Sequence, residues 1–179
     1  MTGVARYSIR AIAPSESRPA AVLARLNEAL LRQATDDRFL TAVLACIDPA
    51  GDQGLRIELA SGGHPPPLVL GDDETVTAVD TAGGTLLGTL PMTDLRDVAV
   101  ALAPGDALVL YTDGVVEARD AEGRQFGQDG LAALLATCAG RSAAGIARRV
   151  ELAVLAHSPN LADDMAVVVI RATGRRGLA

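Results

Sequence analysis

Two runs constrain this chain more than any other feature. ALVLYT at 107–112 and MAVVVI at 165–170 are short and apolar, and runs of that length bounded by turn residues form strands rather than helices. The second, unbroken by any polar residue, has the pattern of a central strand buried on both faces. Each run abuts acidic residues. Asp113 follows the first directly, with Gly114 behind it to permit a tight turn, and Asp163 and Asp164 precede the second. If the two strands are antiparallel neighbours, the end of one meets the start of the other at a single sheet edge. Carboxylates far apart in sequence then converge.

The surrounding pattern predicts what else is layered on those strands. Residues 1–13 read as a short helix without a start signal, because Met1 falls straight into a helical pattern. Pro14 breaks it, Ser17 can cap, and Pro19 suits an early helical position. Val22, Leu26 and Leu30 then recur every four residues, with Arg25, Glu28 and Arg32 off the stripe, which predicts an amphipathic helix over 18–34. From Phe39 the period changes. FLTAVLACID at 39–48 and LRIELAS at 55–61 read as a hairpin across a Pro-Ala-Gly-Asp turn. Strands follow at 68–70 and 75–79, which pair, and at 98–102 and 107–112, joined by an Ala-Pro-Gly-Asp turn. Helices are expected at 131–139 and 143–156, the second with a buried stripe of Ile146, Val150 and Val154. No repeat or long linker divides the chain. The expected architecture is one α+β layered domain over 1–172 with a tail at 173–179.

Composition removes several chemistries. All 16 basic residues are Arg, so there is no P-loop lysine, Schiff base or lysine general base. A net charge of −6 without a basic stripe argues against nucleic acid and leaves proteins or metal cations as partners. Aromatics are 2% of a chain that is 49% hydrophobic, so the core must be aliphatic. Cys46 and Cys138 form no CxxC or Cys/His cluster; both read as buried thiols, with neither a zinc site nor a disulfide implied. The N-terminus lacks the apolar stretch of a signal peptide and no run reaches membrane-spanning length, so the expectation is a soluble, cytoplasmic protein with no membrane segment.

Clustered carboxylates repel and are tolerated when a cation neutralises them. Oxygen ligands without His or Cys suit Mg²⁺ or Mn²⁺ better than zinc. The bland alternatives are concrete: Asp-Gly after a strand is commonly a turn, and paired Asp before a strand a solvated cap. Other residues invite readings that weigh less. His64, in GGHPPP, reads as tying a proline-locked corner rather than as a catalyst, and His157 as part of a solvated loop. Gly83, Gly84 and Gly88 open no helix and make a weak phosphate cradle. Arg148 and Arg149 read as a wet helix face. A haloacid-dehalogenase-type phosphatase is set aside, because the position two before Asp113 is Tyr111 and the chain has no Lys.

From Arg25 to Arg171 the chain resembles the later part of the SpoIIE/RsbU branch of the PPM phosphatases, the Mg²⁺/Mn²⁺-dependent Ser/Thr protein phosphatases. The segments that carry the likeness, in order, are RLNEALL at 25–31, FLTAVLACID at 39–48, ASGGHPPPLVL at 60–70, APGDALVLYTDGVVEARD at 103–120 with EGRQFG at 122–127, and ADDMAVVVI at 162–170. The resemblance implies an α-β-β-α sandwich of antiparallel sheets flanked by helices. It implies metal ligation by Asp113 and Asp163, with Asp164 and Gly114 as further candidate metal positions and Asp164 also as a neighbour that orients the ligands, and catalysis through a metal-activated water. It implies a phosphorylated anti-anti-sigma protein as substrate and partner. The family's upstream Gly-Asp strand pair and Gly-rich helix start have no counterpart here. The expectation is therefore a domain missing its first strands, holding one ion or none where the complete domain holds two, and weak or inactive alone. Asp94 and Asp97 are the first places to look for further ligands. The rival reading is a non-catalytic scaffold module, and open sheet edges would favour a homodimer or strand-swapped assembly.

Overall fold

The computed structural model describes residues 2–33, 39–81, 85–91, 94–159 and 163–174. They form two compact units. The first opens with α1 (Thr2–Ile12), a 3₁₀ turn at Ala13–Ser15, and α2 (Pro19–Gln33). Leu23, Leu26 and Leu30 of α2 pack with Ala60 and Leu87, and with partly buried Ala42 and Leu44. The four-residue spacing of 22, 26 and 30 thus marks the buried face, as the periodicity predicts. The start of α2 is held from outside the helix: Asp97 Oδ1 accepts a hydrogen bond from Ala20 N at 2.6 Å.

β1 (Ala42–Pro49), β2 (Leu55–Gly62) and β5 (Val98–Leu102) make a three-stranded sheet in the order β1-β2-β5. The first strand starts three residues later than the apolar run suggests, with Leu40 paired instead to Leu87 by an isolated bridge. Cys46, on β1, is half-buried rather than buried, and its Sγ lies 3.6 Å from the Ser17 carbonyl.

The second unit contains β3 (Leu68–Leu70), β4 (Val76–Ala78), β6 (Ala107–Tyr111) and β7 (Val167–Arg171), an antiparallel sheet in the order β4-β3-β6-β7. The turn at 103–106 forms as expected, closed by Asp106 N to Ala103 O at 3.0 Å and by Ala103 N to Asp106 Oδ2 at 2.9 Å. The strands on either side of it belong to different sheets.

Helices α3 (Asp113–Val116), α4 (Gly127–Ala136) and α5 (Ala143–His157) complete this unit. Leu131, Leu135, Ile146, Val150 and Val154 pack against Leu68, Leu70, Ala107, Val109 and Tyr111 in an aliphatic core. Three expectations need correcting. The helix expected at 131–139 runs from Gly127 to Ala136, because the chain turns at Gly127 with φ +75°, a conformation open to glycine. His157 is the last residue of α5 and not part of a loop. The run at 165–170 is the edge strand of the described sheet, not a central one, and Val168 is 57% exposed. Residues 175–179 of the expected tail, and Gly83 and Gly84, lie outside the described residues.

Among the described residues of the first unit, Asn27, Ser61 and Thr81 are buried polar residues. Asn27 on α2 is 1% exposed; its Nδ2 donates to Leu90 O at 2.8 Å and its Oδ1 accepts from Gly88 N at 2.7 Å. Replacing it with Leu keeps the volume and adds apolar surface, yet strands both backbone groups. Asn27→Leu is expected to destabilise the protein by about 1–3 kcal/mol, read as a lowered midpoint in urea melts.

Candidate metal and phosphate site

The site is built where β6 ends. The β6–β7 register runs from Ala107 opposite Arg171 to Tyr111 opposite Val167, so the chain leaving β6 and the chain entering β7 share one end of the sheet. At Thr112 the backbone stops being a strand and α3 begins with Asp113. Thr112 N donates to Ala166 O at 3.0 Å, while the Thr112 carbonyl accepts from Val115 N at 3.0 Å and so belongs to the helix. Its hydroxyl accepts from Ala166 N at 2.9 Å and donates to Asp164 O at 3.2 Å.

Gly114 brings the two segments into contact. A Cβ on this residue would lie 2.5 Å from the Asp164 carbonyl oxygen and 3.5 Å from that of Asp163. Only a residue without a side chain lets α3 lie this close to the 163–164 backbone. Asp113, Asp163 and Asp164 are exposed. Asp113 Oδ1 accepts from Gly114 N at 3.0 Å, and Asp163 Oδ1 accepts from Asp164 N at 2.7 Å. None of the three carboxylates has an ion-pair partner among the described residues.

This donor set fits a hard divalent cation in kind: exposed carboxylate oxygens that, among the described residues, no Arg pairs with. In number it is short. Among the described residues no group of three or more His, Cys, Asp or Glu side chains is placed to hold a metal ion. Asp94 and Asp97 do not add to it: Asp94 pairs with Arg96 at 2.8 Å and Asp97 holds the start of α2. His64 lies in the first unit, its Nδ1 3.1 Å from Thr41 Oγ1, while its backbone amide donates to Ser61 Oγ at 3.3 Å. Those bonds tie the proline corner.

A feature that sequence reading missed stands beside α3. Residues 119–126 fold around Asp120, whose Oδ1 accepts from Glu122 N at 3.0 Å and Arg124 N at 2.8 Å, and whose Oδ2 accepts from Arg124 Nε at 2.8 Å. His157 Nε2 lies 3.0 Å from the Arg124 carbonyl, which can only accept, so that nitrogen carries the proton. The His157 ring meets Phe126 edge-on at 5.5 Å. The signal was available in Asp-x-Glu-Gly-Arg, a pattern in which an Asp carboxylate can cap its own turn.

A family profile described as Stage II sporulation protein E (SpoIIE) matches residues 1–173. The chain belongs to the SpoIIE family. No curated protein matches it. Among solved structures, the RsbU and RsbW domains of a Mycobacterium tuberculosis protein share 22% identity at a TM-score of 0.76, over 95% of this chain and 46% of that one. The SiaA-PP2C domain of Pseudomonas aeruginosa shares 24% at 0.73, over 95% and 67%. The PP2C phosphatase domain of Bacillus subtilis SpoIIE, with a fragment of its regulatory domain, shares 20% at 0.77, over 96% and 49%. This SpoIIE-family chain thus spans about half the length of the first of these structures, and its fold is that of the PP2C, or PPM, phosphatase domains: antiparallel sheets flanked by helices.

Two expectations follow from the geometry. Gly114→Ala should cost about 1–3 kcal/mol of stability through overpacking against Asp164, measured by thermal and urea melts. The second concerns acid. Burial pushes the Asp120 carboxyl up, but the hydrogen bonds from Arg124 and Glu122 and the Arg124 charge outweigh it and hold it below the usual carboxylate range. Because the folded value is depressed, its stabilisation is complete above the unfolded value of about 3.9 and is lost as pH falls through the folded one. Melts of wild type and Asp120→Asn should therefore differ at pH 6 and converge in strong acid.

Proposed function

We propose that this chain is a metal-dependent phosphoprotein phosphatase domain that removes phosphate from Ser or Thr of a phosphorylated anti-anti-sigma-like protein in the cytoplasm. The observation that carries the reading is the close approach of Gly114 to the Asp163–Asp164 backbone. It brings the backbone that follows Asp113 against the backbone of Asp163 and Asp164, which supports reading their carboxylates as one site. Asp113 and Asp163 would hold the cation, with Asp164 and the Gly114 backbone supporting them. Mn²⁺ or Mg²⁺, when bound, supplies charge neutralisation at the phosphate and lowers the pKa of a coordinated water.

The chain's own contribution is placement. The amide of Gly114 holds one oxygen of Asp113, and the amide of Asp164 holds one oxygen of Asp163, which fixes the rotamers and leaves the other oxygen of each for a cation. The carboxylates repel a phosphate ester unless a cation intervenes, so substrate binding is tied to metal loading. No side-chain nucleophile is required of the residues here.

A second reading, a non-catalytic module that docks a regulator without turnover, is favoured by the shortage of donors among the described residues. Hydrolysis of p-nitrophenyl phosphate and of a phosphoserine peptide separates the two. The expected result is slow, Mn²⁺-dependent turnover that falls about a hundredfold in Asp113→Asn and in Asp163→Asn. Turnover without metal, or unaffected by both substitutions, would overturn the phosphatase reading. Retained binding of the phosphoprotein with no turnover would favour the docking module.

A further inference from the structure

Thr112 is a helix N-cap that does not cap its helix. Residues of this type at this position normally turn their hydroxyl onto an amide of the first helical turn. Here the Thr112 side chain makes no such bond. It reaches across the sheet end, accepting from Ala166 N at 2.9 Å and donating to Asp164 O at 3.2 Å.

The reason lies in the ladder. Beyond the Tyr111–Val167 pair, the next antiparallel pair would be Thr112 with Ala166. In a regular ladder the two residues of such a pair exchange both backbone hydrogen bonds. One of them forms, from Thr112 N to Ala166 O at 3.0 Å. The other is not made: the Thr112 carbonyl accepts from Val115 N at the start of α3, and Ala166 N bonds to the hydroxyl instead. The hydroxyl stands in for that carbonyl and, with its own proton, also takes the Asp164 carbonyl. The chain can thus leave β6 for a helix at Asp113 while the segment carrying Asp163 and Asp164 stays clamped to it.

We propose that Thr112 is a positioning residue, whose hydroxyl sets the separation of Asp113 from Asp163 and Asp164 and thereby the affinity of the pair for a divalent cation. The proposal rests on the reading of these carboxylates as a cation site. Ser can supply the same hydroxyl. Val, of matching shape, cannot, and it leaves Ala166 N and Asp164 O to water.

The test is titration of the whole chain with Mn²⁺ alone, followed by electron paramagnetic resonance of the free ion, for wild type, Thr112→Ser, Thr112→Val and Asp113→Asn. Val150→Ala, a truncation in the core of the same unit, serves as a stability control. Circular dichroism checks that each variant is folded at the titration temperature. Wild type, Thr112→Ser and Val150→Ala are expected to share one weak site, with affinity about tenfold lower in Thr112→Val and lost in Asp113→Asn. Wild-type affinity in Thr112→Val, with loss in Asp113→Asn, would overturn the role of Thr112 and leave the cation site standing. So would equal weakening in Thr112→Val and Val150→Ala, which would mark a purely structural effect. Absent binding in wild type, or binding indifferent to Asp113→Asn, would overturn the cation site and the proposal together.

Discussion

The antiparallel pairing of β6 with β7 is the interaction on which the site depends. It brings the chain leaving β6 and the chain entering β7 to one end of the sheet, and its register decides which residues meet. A slip of one residue would reverse the face of every side chain along β7. It would also move Asp164 away from Gly114. Both ends of the pair are closed by bonds that resist slippage. At one end Gly105 N and Ala172 N bond to Ala172 O and Asp106 O, each at 2.9 Å. At the other, Thr112 uses its amide and its hydroxyl together.

Burial holds β6 along nearly its whole length. Tyr111, Val109 and Ala107 of β6 enter the core with Leu131, Leu135 and the Ile146, Val150 and Val154 stripe of α5. Val115, on the one turn of α3, is also fully buried in that core. That anchors the segment immediately after Asp113 as firmly as the strand before it. The carboxylate is exposed while its neighbours on both sides are not, which keeps the backbone of the site rigid without desolvating the charges. Desolvation does act on Tyr111, where burial raises the phenol's pKa.

Much of this was legible from pattern, and the exceptions have physical causes. The four-residue stripe of α2 and the 146, 150, 154 stripe of α5 report one buried face each, and period alone finds them. The antiparallel pairing of the two apolar runs is an assumption from pattern, and the β6–β7 ladder forms it. The structure differs where a local choice depends on a partner distant in sequence. MAVVVI has the hydropathy of a central strand because Val167 and Val169 pack on the core, yet no sequence rule reports that Val168 is left facing outward at an edge. Asp-Gly after a strand reads as a turn, and is here the start of a short helix whose first carbonyl, that of Thr112, accepts from Val115 N. The helix after Phe126 begins early because Gly127 allows a backbone that the apolar periodicity does not mark.

What these constraints leave is a site whose backbone is determined more strongly than its ligand count. Gly114 can approach Asp164 only as glycine, and Thr112 can bridge to β7 only with a hydroxyl. Both features act on position and neither contributes a metal-ligating side chain of its own. A surface turn with solvated aspartates would require neither, since exposed carboxylates gain nothing from being held at fixed separation. Fixed separation matters when something must fit between them. A cation–oxygen distance of about 2.0–2.1 Å for Mg²⁺ leaves little tolerance for a drifting carboxylate. The close glycine contact and the displaced cap are therefore more informative about function than the acidic residues themselves. They are the observations on which the cation site proposed at Asp113 and Asp163 rests.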